Sequence, residues 1–120
     1  GGGFELSMCA DLRVASAGSE FGLPEHDLGL LPGWGGTQRL QRLVGESAAK
    51  QIVFTAERFS AERMKQFGYL YEVYETENFE ERATEFAADI AGGSDSLATL
   101  RVDGGMVANE TLMQCMVDTV

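Results

Sequence analysis

The residues able to do chemistry crowd into the first thirty-nine positions, GGGFELSMCADLRVASAGSEFGLPEHDLGLLPGWGGTQR. The triplet Gly1-Gly2-Gly3 opens onto a helix-like stretch carrying Glu5, and Glu25 follows in a Pro-Glu turn. A second glycine turn, Pro32-Gly33-Trp34-Gly35-Gly36, leads into Thr37-Gln38-Arg39. A helix start leaves backbone N–H groups without partners, and glycine lets a ligand oxygen approach them. Two carboxylates on different elements can share a water, or divide acid and base roles if their environments differ. The set suits a reaction that stabilises a negative oxygen while moving protons. Taken singly, each piece has a plainer reading: the triplet as a tight turn, and Glu5 and Glu25 as ordinary surface glutamates among nineteen acidic residues.

Other chemistries find less support. His26 and Asp27 are adjacent, so they do not point the same way, and no nucleophile motif accompanies them; a structural role fits better. The Pro32–Thr37 turn lacks the Lys-Ser/Thr ending of a phosphate loop and reads as a backbone turn lining a pocket. Cys9 and Cys115 are too few and too distant for a disulfide framework, and Cys9 reads as a packed small hydrophobe. His26 is the only histidine, so no metal cluster forms around it.

The 120 residues fit at most one domain, with a modest core. A net charge of −10 argues against nucleic acid and against anionic membranes as partners. An acidic surface with only Lys50 and Lys65 as lysines suits high salt, or equally an ordinary acidic enzyme. No apolar run is long enough to span a bilayer. The chain opens inside a motif, without an initiator Met, and reads as a cut through a larger domain.

The elements that must position these residues follow from patterning. Residues 1–11 read as a turn into a short helix, and 12–17 as a half-buried strand. Residues 20–32 read as irregular, anchored on the core by Phe21, Leu28, Leu30 and Leu31. Helices are expected over 37–44, with Gly45 as stop, and over 46–55, with Ala49, Ile52 and Val53 inward. Ser60 can cap a third helix ending near Gly68. Residues 69–74 read as a strand, and Asn78-Phe79-Glu80-Glu81 resembles a capping box for a helix bearing Phe79, Ala83, Phe86, Ala87 and Ile90. From Ser94 onward the reading is helix, with Leu97, Leu100, Val107, Ala108, Leu112, Cys115 and Met116 near one face. Gly104-Gly105 weighs against it, at about 1 kcal/mol per glycine.

In this order the residues resemble the crotonase (enoyl-CoA hydratase/isomerase) family. The matching pieces are Gly1-Gly2-Gly3-Phe4-Glu5-Leu6, Asp11, Phe21-Gly22-Leu23-Pro24-Glu25, Leu28-Gly29-Leu30-Leu31-Pro32-Gly33 and Gly35-Gly36-Thr37-Gln38-Arg39-Leu40, with looser matches at Phe59–Glu62 and Phe67–Leu70. Leu23 stands where several hydratases have Gln, and Tyr69-Leu70-Tyr71-Glu72 replaces the usual Gly-Leu-Val run. The resemblance implies an α/β fold, part of a crotonase-like ββα spiral with a helical C-terminal region. Residues 1–45 would be the active-site core and 46–120 a mostly helical C-terminal part of one partial domain, the upstream half being absent.

For function, the resemblance implies a 2-enoyl-CoA hydratase working through an enolate. The oxyanion hole would take one N–H from Gly2 and the other from an upstream segment. Glu5 would help activate the attacking water and Glu25 would handle the proton at the α carbon. Pro24 and Gly33 would line the substrate site. It also implies no cofactor beyond the CoA of the acyl-CoA substrate, a homotrimer or hexamer, and a cytoplasmic location. The alternatives are an enoyl-CoA isomerase of the same family and a non-catalytic piece whose role is oligomer packing.

Overall fold

The computed structural model describes residues 1–91, 97–103 and 110–116. Helix α1 (Gly2–Ser7) leads directly to strand β1 (Leu12–Ser16), then to the short β2 (Glu20–Phe21) and a 3-10 turn (Pro24–Leu28). Helices α2 (Gly36–Val44) and α3 (Glu46–Thr55) follow, then β3 (Phe59–Ser60), α4 (Ala61–Gln66), β4 (Glu72–Tyr74), a 3-10 turn (Thr76–Asn78) and α5 (Phe79–Ala91). Strands β5 (Leu97–Asp103) and β6 (Glu110–Met116) complete the described part. The main sheet has the order β4-β1-β6-β5, with β1 parallel to β4 and antiparallel to β6; β2 and β3 form a separate antiparallel pair.

Strand β1 is the hub. Val14 and Ala15 point to opposite faces, as strand geometry requires. Ala15 joins the main core with Phe4, Met8, Phe21, Leu23, Leu40, Ile52, Met64 and Tyr69, whereas Val14 meets Phe79 and Ala83 of α5. Because both faces of β1 are covered, Arg13 and Ser16 are buried too, and the half-buried strand expected from alternation becomes an interior one. Arg13 stays satisfied by donating Nε to the Tyr69 carbonyl at 2.8 Å and Nη1 to the Ala10 carbonyl, with its guanidinium 4.6 Å from the Tyr69 ring centre.

Local signals place the helices as expected. Ser60 Oγ accepts from Arg63 N at 3.2 Å, capping α4. That helix ends in a Schellman turn, with Tyr69 N on Met64 O at 3.0 Å, Gly68 N on Lys65 O at 2.9 Å and Gly68 at φ +81°. Buried Ala49, Ile52 and Val53 face inward from α3.

Several expectations fail for physical reasons. Phe21 anchors the 20–32 segment, but Leu28, Leu30 and Leu31 are exposed and the second anchor is the fully buried Leu23. The 3-10 turn lifts the following leucines off the core, which apolarity alone could not foretell. Cys9 is exposed rather than packed, because α1 turns its other side inward through Phe4, Ser7 and Met8. Only Glu72–Tyr74 of the expected 69–74 strand pairs as a strand, since Gly68 and Tyr69 complete the α4 stop. Leu97, Leu100, Leu112, Cys115 and Met116 lie in β5 and β6, not in a helix. Both segments carry β-branched residues, and paired glycines between them disfavour a continuous helix. Val107 and Ala108 lie outside the described residues. Among the described residues no helix is long and apolar enough to cross a membrane.

Helix α1 has only six residues, too short to hold itself in water. Tertiary contacts pin it. Phe4 meets Phe21 and Tyr69 edge-on, at ring centres 5.5 and 5.0 Å apart, and the buried Ser7 hydroxyl pairs with the Tyr69 hydroxyl. Burial pushes the Tyr69 phenol above its ordinary value of 10.0. The unfolded chain therefore releases this proton first, and stability falls as pH rises through 10. Tyr69→Phe should cost about 1 kcal/mol in urea unfolding at neutral pH, from the lost hydrogen bond. The same variant should lose less stability than wild type between neutral pH and the alkaline range above 10; equal alkaline losses would contradict this reading.

Candidate active site

The start of α1 gathers the sequence-predicted carboxylates. Gly2, Gly3 and Phe4 occupy the first turn, where N–H groups have no acceptor within the helix. Glu5 follows on the same turn and is 97% buried, its side chain aimed at the second glycine turn rather than at solvent. There Oε1 accepts two backbone hydrogen bonds, from Trp34 N at 2.9 Å and Gly36 N at 2.8 Å. Burying a carboxylate is costly unless its oxygens are satisfied, and these two donors satisfy one of them.

Glu25 sits at the start of the 3-10 turn, after Pro24, whose fixed φ suits a first helical position. It is half-buried, and its Oε2 is shielded from solvent with no hydrogen-bond partner among the described residues. Its Oε1 lies 4.0 Å from the place where a Cβ on Gly1 would stand. The Gly1 nitrogen donates to the Gly22 carbonyl, which draws this loop against the helix start. Both carboxylates are thus close to the start of α1.

The other predicted residues fall around this pair. Gly2 lies beneath the Trp34 ring, Pro24 is exposed beside Glu25, and Gly33 is exposed next to Trp34 with open space where a Cβ would be. His26 and Asp27 are exposed on the 3-10 turn. Among the described residues no group of His, Cys, Asp and Glu could hold a metal ion.

Sequence reasoning missed the donors. The Pro32–Thr37 turn was legible as a backbone turn lining a pocket, but not that its N–H groups converge on Glu5. Gly36 is required there, because a Cβ would stand 2.8 Å from Glu5 Oε1 and 3.0 Å from Pro32 Cβ. Gly35 is required next to it: φ is +93°, and a Cβ would fall 2.1 Å from Arg39 Nη1. A groove of about 270 Å³ lined by Leu31, Gly36, Ala49, Val53 and Phe54 lies behind this turn and includes neither carboxylate. The groove therefore stands apart from the two candidate carboxylates.

Chemically, a buried carboxylate with one oxygen tied down keeps its second oxygen in a fixed direction. Beside it stands a second carboxylate with a shielded, unpartnered oxygen. Two such groups next to free N–H donors can hold a water and exchange protons with a bound carbon acid.

Comparison with known proteins follows the same residues. The family model described as enoyl-CoA hydratase/isomerase matches residues 1–114. A short-chain-enoyl-CoA hydratase of Clostridium acetobutylicum is 42% identical over 119 residues, 99% of this chain and 44% of that protein. A crotonyl-CoA hydratase of Syntrophomonas wolfei is 48% identical over 77 residues, 64% of this chain and 30% of that protein. The crystal structure of an enoyl-CoA hydratase from Bacillus anthracis superposes with a TM-score of 0.74 at 44% identity, covering 76% of this chain and 35% of that one. The chain thus spans less than half the length of each of these three proteins.

Gly36→Ala tests the arrangement directly. The added methyl must displace the Glu5 carboxylate or the turn, at a cost of about 1–3 kcal/mol for overpacking. Urea unfolding should read that loss, and a crystal structure of the variant should show the Trp34 and Gly36 bonds to Glu5 lengthened. A variant of unchanged stability with both bonds intact would refute the assigned role of Gly36.

Proposed function

Because the chain belongs to the enoyl-CoA hydratase/isomerase family, we propose that it carries the water- and proton-handling part of a 2-enoyl-CoA hydratase site. The observation that carries this reading is the pair of carboxylates at the α1 start. Glu5 is buried and held by Trp34 and Gly36, while Glu25 keeps a shielded oxygen unpartnered. The names of the similar proteins, short-chain-enoyl-CoA hydratase and crotonyl-CoA hydratase, support a short 2-enoyl thioester as substrate.

In this reading the thioester oxygen binds the Gly2 N–H together with a donor from outside this chain's described residues. Glu5 takes a proton from water as the water oxygen bonds to the β carbon. The double-bond electrons move onto the thioester oxygen, whose negative charge the N–H groups stabilise. Protonated Glu25 then gives its proton to the α carbon as the thioester carbonyl re-forms. A proton returned from Glu5 to Glu25 through water restores the starting state, and the net change is addition of water. Pro24 and Gly33 border the substrate. No cofactor is needed beyond the CoA the substrate carries.

Both carboxylates being in place favours hydration over isomerisation, which can run on one. The same reading carries a homotrimer or hexamer and a cytoplasmic location. The exposed Leu28, Leu30, Leu31 and Phe54 support an assembled state.

In the intact protein, Glu25→Gln should lower hydration of crotonyl-CoA by about 10²–10⁴-fold, the range for a lost acid–base group. Binding of a saturated acyl-CoA should survive. Undiminished hydration would sink the assignment. Product analysis with a 3-enoyl-CoA should yield little of the 2-enoyl isomer; isomer as the main product would establish the alternative reaction.

A further inference from the structure

The Trp34 side chain lies over Gly2 at the proposed reaction site, and the mechanism above uses only its backbone. Its N–H donates to Glu5 Oε1 at 2.9 Å, and its carbonyl accepts from Arg39 Nη1 at 2.9 Å. The residue is therefore held on both sides of its Cα. The indole stands over Gly2: its carbons lie 3.1, 3.3 and 3.7 Å from the place where a Gly2 Cβ would be. Yet the residue is 71% exposed. A large apolar ring, its backbone tied on both sides and its surface left open beside two candidate functional groups, is placed to receive an apolar ligand.

Geometry says which part of the ligand. On the hydratase reading, the thioester oxygen must come within about 3 Å of the Gly2 N–H. The β carbon must come close to the water held at Glu5. The ring rests on Gly2, and its own backbone rests on Glu5, so the acyl carbons between these two points run along the indole. Space on the side of Gly33 is open, since a Cβ there would meet nothing within 4 Å. We propose that the Trp34 indole is a wall of the acyl subsite, along which the acyl chain lies, and so sets which acyl groups the site holds best. This rests on the reading of Gly2 and Glu5 given above.

The test compares crotonyl-CoA with a straight eight-carbon 2-enoyl-CoA in the intact protein. Each buried methylene is worth about fourfold in binding. Trp34→Ala should therefore lower the ratio of kcat/KM for the eight-carbon over the four-carbon substrate by about tenfold or more. Trp34→Phe, which keeps a smaller ring and guards against a misfolded alanine variant, should fall between. A ratio within twofold of wild type in both variants overturns the proposal. A second readout does not depend on turnover. Trp34 is the only tryptophan of this chain, so the emission lost in Trp34→Phe isolates its signal. Saturating butyryl-CoA should shift that emission where free CoA does not; an unchanged emission overturns the proposal as well. If the wild type binds butyryl-CoA through Trp34 but hydrates no enoyl-CoA, the hydratase reading fails and the acyl wall stands.

Discussion

Two backbone N–H groups, from Trp34 and Gly36, converge on one oxygen of Glu5, and this convergence ties the two glycine turns into one site. Each partner needs the other. Helix α2 begins at Gly36 behind Gly35, which has no side chain to cap it, so an N–H at its start would lack a partner without Glu5. Glu5 is buried by α1, so its carboxylate would lack compensation without those donors. A carboxylate at a helix start also meets the positive end of the α2 dipole. The same contact thus caps one helix, fixes the turn bearing Trp34 and Gly33, and aims the remaining carboxylate oxygen. Gly35 and Gly36 follow as steric conditions of that contact rather than as independent features.

The contact works only if α1 stays still, and its anchoring explains the unusual polarity of the core. Ser7, Arg13 and Tyr69 are buried polar groups that a modest core would otherwise avoid. The Tyr69 hydroxyl meets Ser7, the Tyr69 carbonyl takes the Arg13 Nε, and Arg13 also holds the Ala10 carbonyl at the end of the α1 turn. These bonds run from the hub strand to the helix that carries Gly2 and Glu5. Through Tyr69 the sheet-to-helix contact is a hydrogen-bonded one as well as an apolar one.

What the sequence made legible was local or modular. Ser60 and Gly68 marked α4 because caps act within a few residues, and Ala49, Ile52 and Val53 marked α3 because burial follows the helical period. The order of glycine turns and carboxylates made the family readable before any coordinate. Other features depended on what approaches from far along the chain. Leu28, Leu30 and Leu31 looked like anchors, but the 3-10 turn after Leu23 carries them outward. Arg13 and Ser16 were polar letters in a strand read as half-buried, but strands on either side and helices above and below enclose them. The donors to Glu5 were invisible because backbone N–H groups have no letter in the sequence.

Charge makes a last constraint. On the proposed reading the substrate is an anionic CoA thioester, which a chain of net charge −10 repels at long range. The described cations reverse this only in part. Lys50, Arg58, Lys65 and Arg82 are each engaged by a glutamate and Arg13 is buried in the core, whereas exposed Arg39, Arg42 and Arg63 make no carboxylate pair among the described residues' ion pairs. On that reading, short-range contacts must add to capture: N–H groups at the α1 start and apolar surface beside them. The exposed indole against Gly2 would supply the apolar part, next to the donor proposed for the oxyanion. The acidic surface and the open tryptophan fit together on that reading, because a weaker long-range attraction leaves more of the binding to contact.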